Sequence, residues 1–401
     1  MNQSTNFLGQ HIFSQILKLS SKHHLSGVFT STKANRYYKQ LKVWEHFVTM
    51  MYAVLTNSTS LREVVMGLEL AEGKLNHLGI DYVPPRSTLS DGNKNRPADV
   101  FKSIYHYLYG QYKRNLSDST LPRELLANLY LLDATVFSLF KAILKTSGRS
   151  SADGKKKGGI KKNTVIHAES LMPVLLQFGA AADNDQKIYA TLQLPRGSYI
   201  VFDKGYNNYR QYVRFDEQGI FFITRQKDNA VYTSIEEFDL SEQTPESILK
   251  DERIELSYKD EQGREGKLHL RRIVYWIDKD KQLYEFITNN FELDAFTISQ
   301  IYKYRWKIEL FFKKLKQNFP LQYFLGDNQN AIEIQIWCAL IALLLLSAIH
   351  AMNKSKMAFS NFVHIVRLHL LNYVSISAVI KAYNGKRTRS AKSDNTLFSS
   401  A

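Results

Sequence analysis

Four side chains of complementary chemistry recur at helical spacing in the stretch ISQIYKYRWKIELFFKKLKQ: the phenol of Tyr302, the guanidinium of Arg305, the carboxylate of Glu309 and the ammonium of Lys316. At about 100° per residue, these positions fall within roughly 60° of one another on a helix surface. Ile301, Ile308, Phe312, Leu315 and Phe319 fall beside that stripe, so the polar four are expected at the rim of a core. Such a set suits a metal ion and a phosphate, because a carboxylate is a hard oxygen ligand while guanidinium and ammonium groups grip phosphate oxygens. The same spacing permits a plainer outcome, in which Arg305 and Glu309 form a solvated ion pair and Tyr302 covers the core's edge.

Two further acids stand where a metal site would need them. Asp133 ends the apolar run Leu-Tyr-Leu-Leu, and Asp203 ends Ser198-Tyr-Ile-Val-Phe, with Lys204, Gly205 and Tyr206 following. An apolar run that stops at an acid predicts a buried strand delivering its carboxylate at the strand's end. Either residue alone could be an ordinary turn-starting Asp. Taken with Glu309, the pair predicts an acidic site assembled from distant segments.

With these residues in view, the sequence resembles the DDE transposases of bacterial insertion sequences, in particular the insertion-sequence-four branch with its Y-R-E-K signature. The resemblance runs over most of the chain. Asp133 in LLDATVF is similar to the family's first acid, Asp203 in FDKGYNNY to its second and Glu309 in YKYRWKIELFFKKLKQ to its third, with Tyr302, Arg305 and Lys316 completing the signature. Supporting stretches are STLSDGNKNR, KKKGGIKKNT and FFITRQK. The pattern departs at Asn163, where many relatives carry a histidine, and no role is expected there.

The resemblance implies an enzyme that binds transposon ends, nicks them, passes through a hairpin and transfers the strand into a target. Cutting a phosphodiester in this way needs an activated oxygen on one side of phosphorus and a stabilised leaving oxygen on the other, served by two divalent ions. Hard oxygen ligands select Mg²⁺ or Mn²⁺. Asp133 is expected to hold both ions, with Asp203 on one and Glu309 on the other, while Tyr302, Arg305 and Lys316 bind phosphates. A base flipped at the hairpin is expected to stack on an aromatic ring of the last strand before the third acid, Tyr284 in LYEFITN, with Trp276 as the other candidate. The expected partner is double-stranded DNA, both terminal inverted repeats and target, met by a homodimer in a synaptic complex. Two other readings share part of this pattern. A DNA-binding derivative without catalysis would be marked by the loss of an acid, and all three are present. A ribonuclease H-like nuclease acting by hydrolysis alone shares the acids but needs neither the stripe nor the β-rich segment described below.

Composition agrees with a polyanionic partner. The chain of 401 residues carries a formal charge of +15, with pI about 9.5, a balance that draws phosphate backbones electrostatically. The basic residues cluster in Lys155 to Lys157 with Lys161 and Lys162, in Lys303 to Lys316, and in Lys381, Lys386, Arg387, Arg389 and Lys392. A single cysteine, Cys338, excludes a disulfide framework and a cysteine zinc site. The opening MNQSTNFLGQHIFSQILK is too polar for a signal peptide, and the apolar run Ile336 to Ile349 is short for a bilayer, so it predicts a buried helix. Cytoplasmic residence at the bacterial nucleoid is therefore expected, with no membrane partner.

The elements that must position these groups change in period along the chain. Residues 1–115 read as a helical DNA-binding domain, with Ser60 capping a helix, Glu63 three residues on, and Arg36, Lys39 and Lys42 along one front. Residues 125–227 read as the first part of a ribonuclease H-like core, with NDQKIYATLQ and NNYRQYVRFDEQ as its helices. Residues 228–288 read as a β-strand insertion, 289–355 as the second part of the core with the third acid, and 356–401 as a basic tail. The expected fold is thus α/β: a ribonuclease H-like catalytic core with a β-rich insertion, preceded by an α-helical N-terminal domain.

Overall fold

The computed structural model describes residues 10–71, 73–116, 121–138, 148–149, 157–180, 185–240, 244–277, 281–319, 321 and 323–385. Lys155, Lys156, Lys386, Arg387, Arg389 and Lys392, which the sequence marks as basic clusters, lie outside the described residues, as does the polar opening before Gln10. The fold is mixed α/β and divides into two compact units, one mainly from Ser117–Ser138 and Leu144–Phe312, the other mainly from the residues up to Leu116 and from Lys313 onward.

The first unit is built on one sheet. Its strands are β1 (Leu129–Ser138), β2 (Gly148–Arg149), β3 (Lys157–His167), β4 (Met172–Ala180), β5 (Tyr199–Phe202), β6 (Phe221–Arg225), β7 (Thr233–Glu237), β8 (Ile248–Lys259), β9 (Glu265–Ile277) and β10 (Gln282–Thr288). They run in the order β2-β3-β1-β5-β6-β10-β9-β8-β7, with β4 also on β3. The β1, β3 and β4 strands form an antiparallel meander. β5 and β6 then run parallel to β1. The β-rich segment expected as an insertion continues this same sheet, because β10 pairs antiparallel with β6.

Aromatic and branched residues explain why these strands bury. Phe202 of β5 and Phe222 of β6 stand against Tyr212 and Phe215 of the helix Tyr209–Glu217, whose Tyr212 ring stacks on Phe222 at 4.1 Å. Ile254, Leu256, Leu268 and Leu270 from the long β8 and β9 strands close the same cluster. That helix starts at Asn208, whose side chain accepts from the Gln211 amide. NDQKIYATLQ forms only a 3₁₀ segment, Asp185–Ala190, rather than the α-helix its pattern suggests.

The second unit is helical. Val43–Thr56, Arg86–Asn95 and Ala98–Tyr112 pack against the long helix Gln329–Met352. That helix is long and apolar enough to cross a membrane, yet 94% of its most apolar window is buried inside the structure. A helix apolar on every side needs helices around it, and these supply them. Cys338 is buried there. Compactness therefore groups Gln329–Met352, and the helix Phe359–Leu368 from the segment read as a basic tail, with the N-terminal helices. The Ser60 cap forms as its sequence implies: the Glu63 amide donates to Ser60 Oγ, and the Glu63 carboxylate reaches back to the Thr59 amide.

Candidate functional site

Register brings two of the acids together. The parallel pairing of β1 and β5 ends at Leu132 opposite Phe202, so Asp133 and Asp203 are each the next residue on adjacent strands, which run about 4.8 Å apart. Asp203 ends its strand as expected. Asp133 does not: β1 continues to Ser138 because its other edge stays paired with β3, Asp133 opposite Thr164 and Ser138 opposite Gly159. What stops at Asp133 is the neighbouring strand.

The loop carrying Asp203 is pinned on both sides. Tyr206 donates from its hydroxyl to Asn163 Oδ1 at 3.0 Å, and its carbonyl accepts from Tyr189 at 2.7 Å. Asn207 spans to β6 through the Arg225 carbonyl and the Thr224 hydroxyl. Asn163, to which the sequence assigns no role, thus helps to fix the second acid's loop. Only the polar richness of FDKGYNN hinted at these bonds.

The expected single helix under the Y-R-E-K stripe is two. Ala295–Tyr304 ends and Trp306–Asn318 begins around Arg305, where i to i+3 bonds replace the α pattern: the Arg305 amide donates to Tyr302 O, and Ile308 to Arg305 O. The apolar companions behave as predicted, with Ile301, Ile308, Phe312, Leu315 and Phe319 all buried.

At this break the polar groups converge. Arg305 Nη1 lies 3.3 Å from Asp133 Oδ2 and Nη2 lies 3.0 Å from Glu309 Oε1, with the Arg305 side chain only 12% exposed. Its Nε is buried without a hydrogen-bond partner. The Tyr302 hydroxyl makes a long contact, 3.5 Å, with Asp203 Oδ1. Burial and then the Asp203 carboxylate push the Tyr302 phenol up to about 12, against the pull of Arg305 beside it. Burial opposes the Arg305 charge, but Tyr302, Asp133 and Glu309 together hold its pKa above the ordinary value. One guanidinium therefore bridges Asp133 and Glu309, and one phenol makes a long contact with Asp203. The plainer reading of Arg305 and Glu309 as a solvated pair fits the Glu309 carboxylate, 38% exposed, but not Arg305, which is buried and meets a second carboxylate.

The remaining predicted residues divide. Lys316 is exposed two turns beyond Glu309 on the helix Trp306–Asn318. Tyr284 is half-buried opposite Tyr275, its ring 6.2 Å from Phe286, which in turn lies 4.6 Å from Tyr302. Trp276 pairs with Leu283, the next step along the ladder, and so faces the opposite side of the sheet from Tyr284. The basic run from Lys303 to Lys316 is not all presented to solvent: Lys303 reaches the Tyr275 hydroxyl, and Lys314 sits over the Phe359 ring with Ser347 Oγ at 3.2 Å.

A family model described as "Transposase DDE domain" matches residues 125–345, more than half of the chain. The chain belongs to the DDE transposase family. This transposase is 30% identical over 298 residues to a protein named as a transposase, y4zB, in Sinorhizobium fredii (strain NBRC 101917 / NGR234), an alignment covering 74% of this chain and 80% of that one. It is 26% identical over 283 residues to one named as the transposase for insertion sequence element IS5377 in Geobacillus stearothermophilus, covering 70% and 72% of the two chains. Residues 8–81 match a domain of unknown function (DUF4372). Among solved structures, a piggyBac transposase synaptic complex with hairpin DNA aligns over 92% of this chain and 80% of its own, at a TM-score of 0.44 and 8% identity, too loose a likeness to carry an argument.

DDE transposases work with divalent metal ions. As they stand, no three acidic, histidine or cysteine residues among the described residues converge closely enough to hold one. The donor chemistry nevertheless fits: Asp133, Asp203 and Glu309 offer only hard carboxylate oxygens, and a cation, the Arg305 guanidinium, already sits between two of them.

Proposed function

We propose that this transposase cuts and joins DNA at one centre formed by Asp133, Asp203 and Glu309, within a ribonuclease H-like core. The carrying observation is the register that ends β1–β5 pairing at Leu132 and Phe202, with Arg305 linking Asp133 to Glu309. The antiparallel meander followed by two strands parallel to its first supports the core assignment. When bound, two divalent ions, Mg²⁺ or Mn²⁺, supply the charge that activates the attacking oxygen and stabilises the leaving one. Asp133 would hold both, Asp203 one and Glu309 the other.

The chain's own groups do the rest. Arg305 offers a planar fork and Lys316 a point charge to phosphates flanking the scissile bond. Tyr302, with its pKa near 12, stays protonated at neutral pH and so brings a hydrogen-bond donor to the phosphates without adding negative charge. Holding the 5′ strand while the 3′-hydroxyl attacks across the duplex favours a hairpin, followed by its opening and strand transfer. Tyr284, on the sheet face shared with Phe286 and Tyr302, is the better placed of the two aromatic candidates to stack a flipped base.

Residues 1–115 are assigned to recognise the terminal inverted repeats, since Arg36, Lys39 and Lys42 are exposed together beside an 86% exposed Tyr37. Two copies of the chain, each on one end, would form the synaptic complex at the nucleoid.

The test is an end-labelled transposon-end duplex incubated with protein and Mg²⁺, resolved on a denaturing gel. A nick, then a hairpin, then joined product are expected, all dependent on the divalent ion. Products formed equally in chelator would exclude the centre proposed.

A further inference from the structure

We infer that Arg305 is an internal counter-ion for the metal site, holding its carboxylates in the absence of metal and exchanging them for DNA phosphate when the ions bind. This rests on the reading of Asp133 and Glu309 as metal ligands. Their separation in sequence is large, yet one guanidinium spans them, Nη1 to Asp133 at 3.3 Å and Nη2 to Glu309 at 3.0 Å. Two carboxylates brought this near repel each other unless a cation stands between them. Arg305 supplies that cation from the same short stretch as Glu309, one helical turn before it.

The bridge is held in a form that can be given up. Nε is buried and has no hydrogen-bond partner, so the guanidinium leaves one of its donors unmet while it bridges the acids. It sits at the break between Ala295–Tyr304 and Trp306–Asn318, outside either regular helix, where i to i+3 bonds replace the α pattern. An arriving ion and the guanidinium compete for the same oxygens, Asp133 Oδ2 and Glu309 Oε1. A phosphate beside the site gives the displaced fork a bidentate partner. Metal binding and phosphate binding are therefore coupled through one side chain, each raising the affinity for the other.

The consequence is counter to what loss of a functional residue usually does. In the protein without DNA, Arg305→Gln removes the competitor, and Mn²⁺ should bind about tenfold tighter than to wild type, the scale of one partly buried ion pair. Titration of the full-length protein with Mn²⁺, followed by electron paramagnetic resonance of the free ion, reads this without any reaction. Adding a transposon-end duplex should raise the wild-type affinity by a larger factor than that of Arg305→Gln. In chelator, Arg305→Gln should melt at lower temperature than wild type and regain more on adding Mn²⁺. Arg305→Lys, which keeps the charge but not the fork, should bind Mn²⁺ with an affinity between the two, and it carries the test if the Gln variant does not fold.

Asp133→Asn and Glu309→Gln separate the two ways of failing. If Mn²⁺ binding is unchanged by both, the carboxylates are not the metal site, and the counter-ion role falls with that reading. If both abolish binding while Arg305→Gln and Arg305→Lys bind no tighter than wild type, the site stands and the counter-ion role alone is overturned.

Discussion

Arg96 in the helical unit and Arg305 in the sheet unit both meet polar partners away from solvent, and the two are built to opposite ends. In the helical unit, Arg96 is fully buried and gives Nε to the Ala34 carbonyl, Nη2 to Leu41 O at 2.6 Å and Nη1 to His46 Nδ1 at 2.6 Å, while stacking 4.0 Å over Tyr38. None of those partners is a carboxylate. His46 closes the network through Nε2 on Asn93 Oδ1. In the sheet unit, Arg305 bridges two carboxylates and leaves Nε unpaired. The difference teaches that burial alone does not make a charged group structural. Arg96 satisfies two backbone carbonyls, whereas Arg305 balances acids that, on the reading proposed above, a metal ion would satisfy.

That contrast breaks first if the acids around Arg305 prove structural. Asp133→Asn, Asp203→Asn and Glu309→Gln should each lower end cleavage by about 10³-fold or more, with melting temperature and end binding held. Removing negative charge next to DNA relieves repulsion, so end binding measured by gel shift should hold or improve. A variant that unfolds instead would place the acids on the same footing as Arg96.

The converse change is next in size. Arg96→Ala strands His46 and two buried carbonyls, and should cost about 3 kcal/mol or more in chemical denaturation. Arg305→Gln, judged by the same measurement, should cost less.

A pH series sharpens the same distinction. Burial first and the Arg96 charge second hold His46 down at about 3, so it is neutral in the folded helical unit. A folded pKa below the unfolded 6.5 means that the contribution is fully present above 6.5 and is lost as pH falls toward 3. Between pH 7.5 and 5.5 this group should cost about 1.4 kcal/mol of stability. Denaturation midpoints for wild type and His46→Gln at the two pH values should differ in slope by that amount, and parallel slopes would mean His46 does not stay neutral on folding.

The smallest effect concerns the second acid's loop. Tyr206→Phe deletes the hydroxyl that reaches Asn163 and should cost about 1 kcal/mol in stability with about tenfold in cleavage. Equal cleavage rates in variant and wild type would mean the Asp203 loop is fixed without this bond.

How much of this was legible in sequence depended on the kind of information involved. The three acids and the stripe could be read because apolar runs ending in Asp203, and the buried companions Ile308 and Phe312, have local signatures. The sheet order could be read only as far as the alternation of periods allowed. That β10 returns to β6, so that the β-rich segment extends the core sheet, is a pairing between segments far apart in sequence, and no period encodes it. The break at Arg305 is hidden for a similar reason: YKYRWKIE has unbroken helical propensity, and the contacts of Arg305 with Asp133 across the fold accompany a tightening that the local sequence does not signal. Lys303 and Lys314 read as surface charge because burial of a lysine is decided by what packs around it. Burial holds Lys314 down at about 8, and nothing in its neighbours along the chain indicates that.

On the function proposed, Asp133, Asp203 and Glu309 hold the reacting phosphate's metal ions as one centre. Diffraction at the manganese absorption edge, from crystals of the protein bound to its transposon-end duplex and soaked in Mn²⁺, tests it most directly. Anomalous density is predicted about 2 Å from carboxylate oxygens of all three residues, with Arg305 turned away from them onto a phosphate. Manganese bound elsewhere, with Arg305 still bridging Asp133 and Glu309 in the presence of DNA, would contradict it.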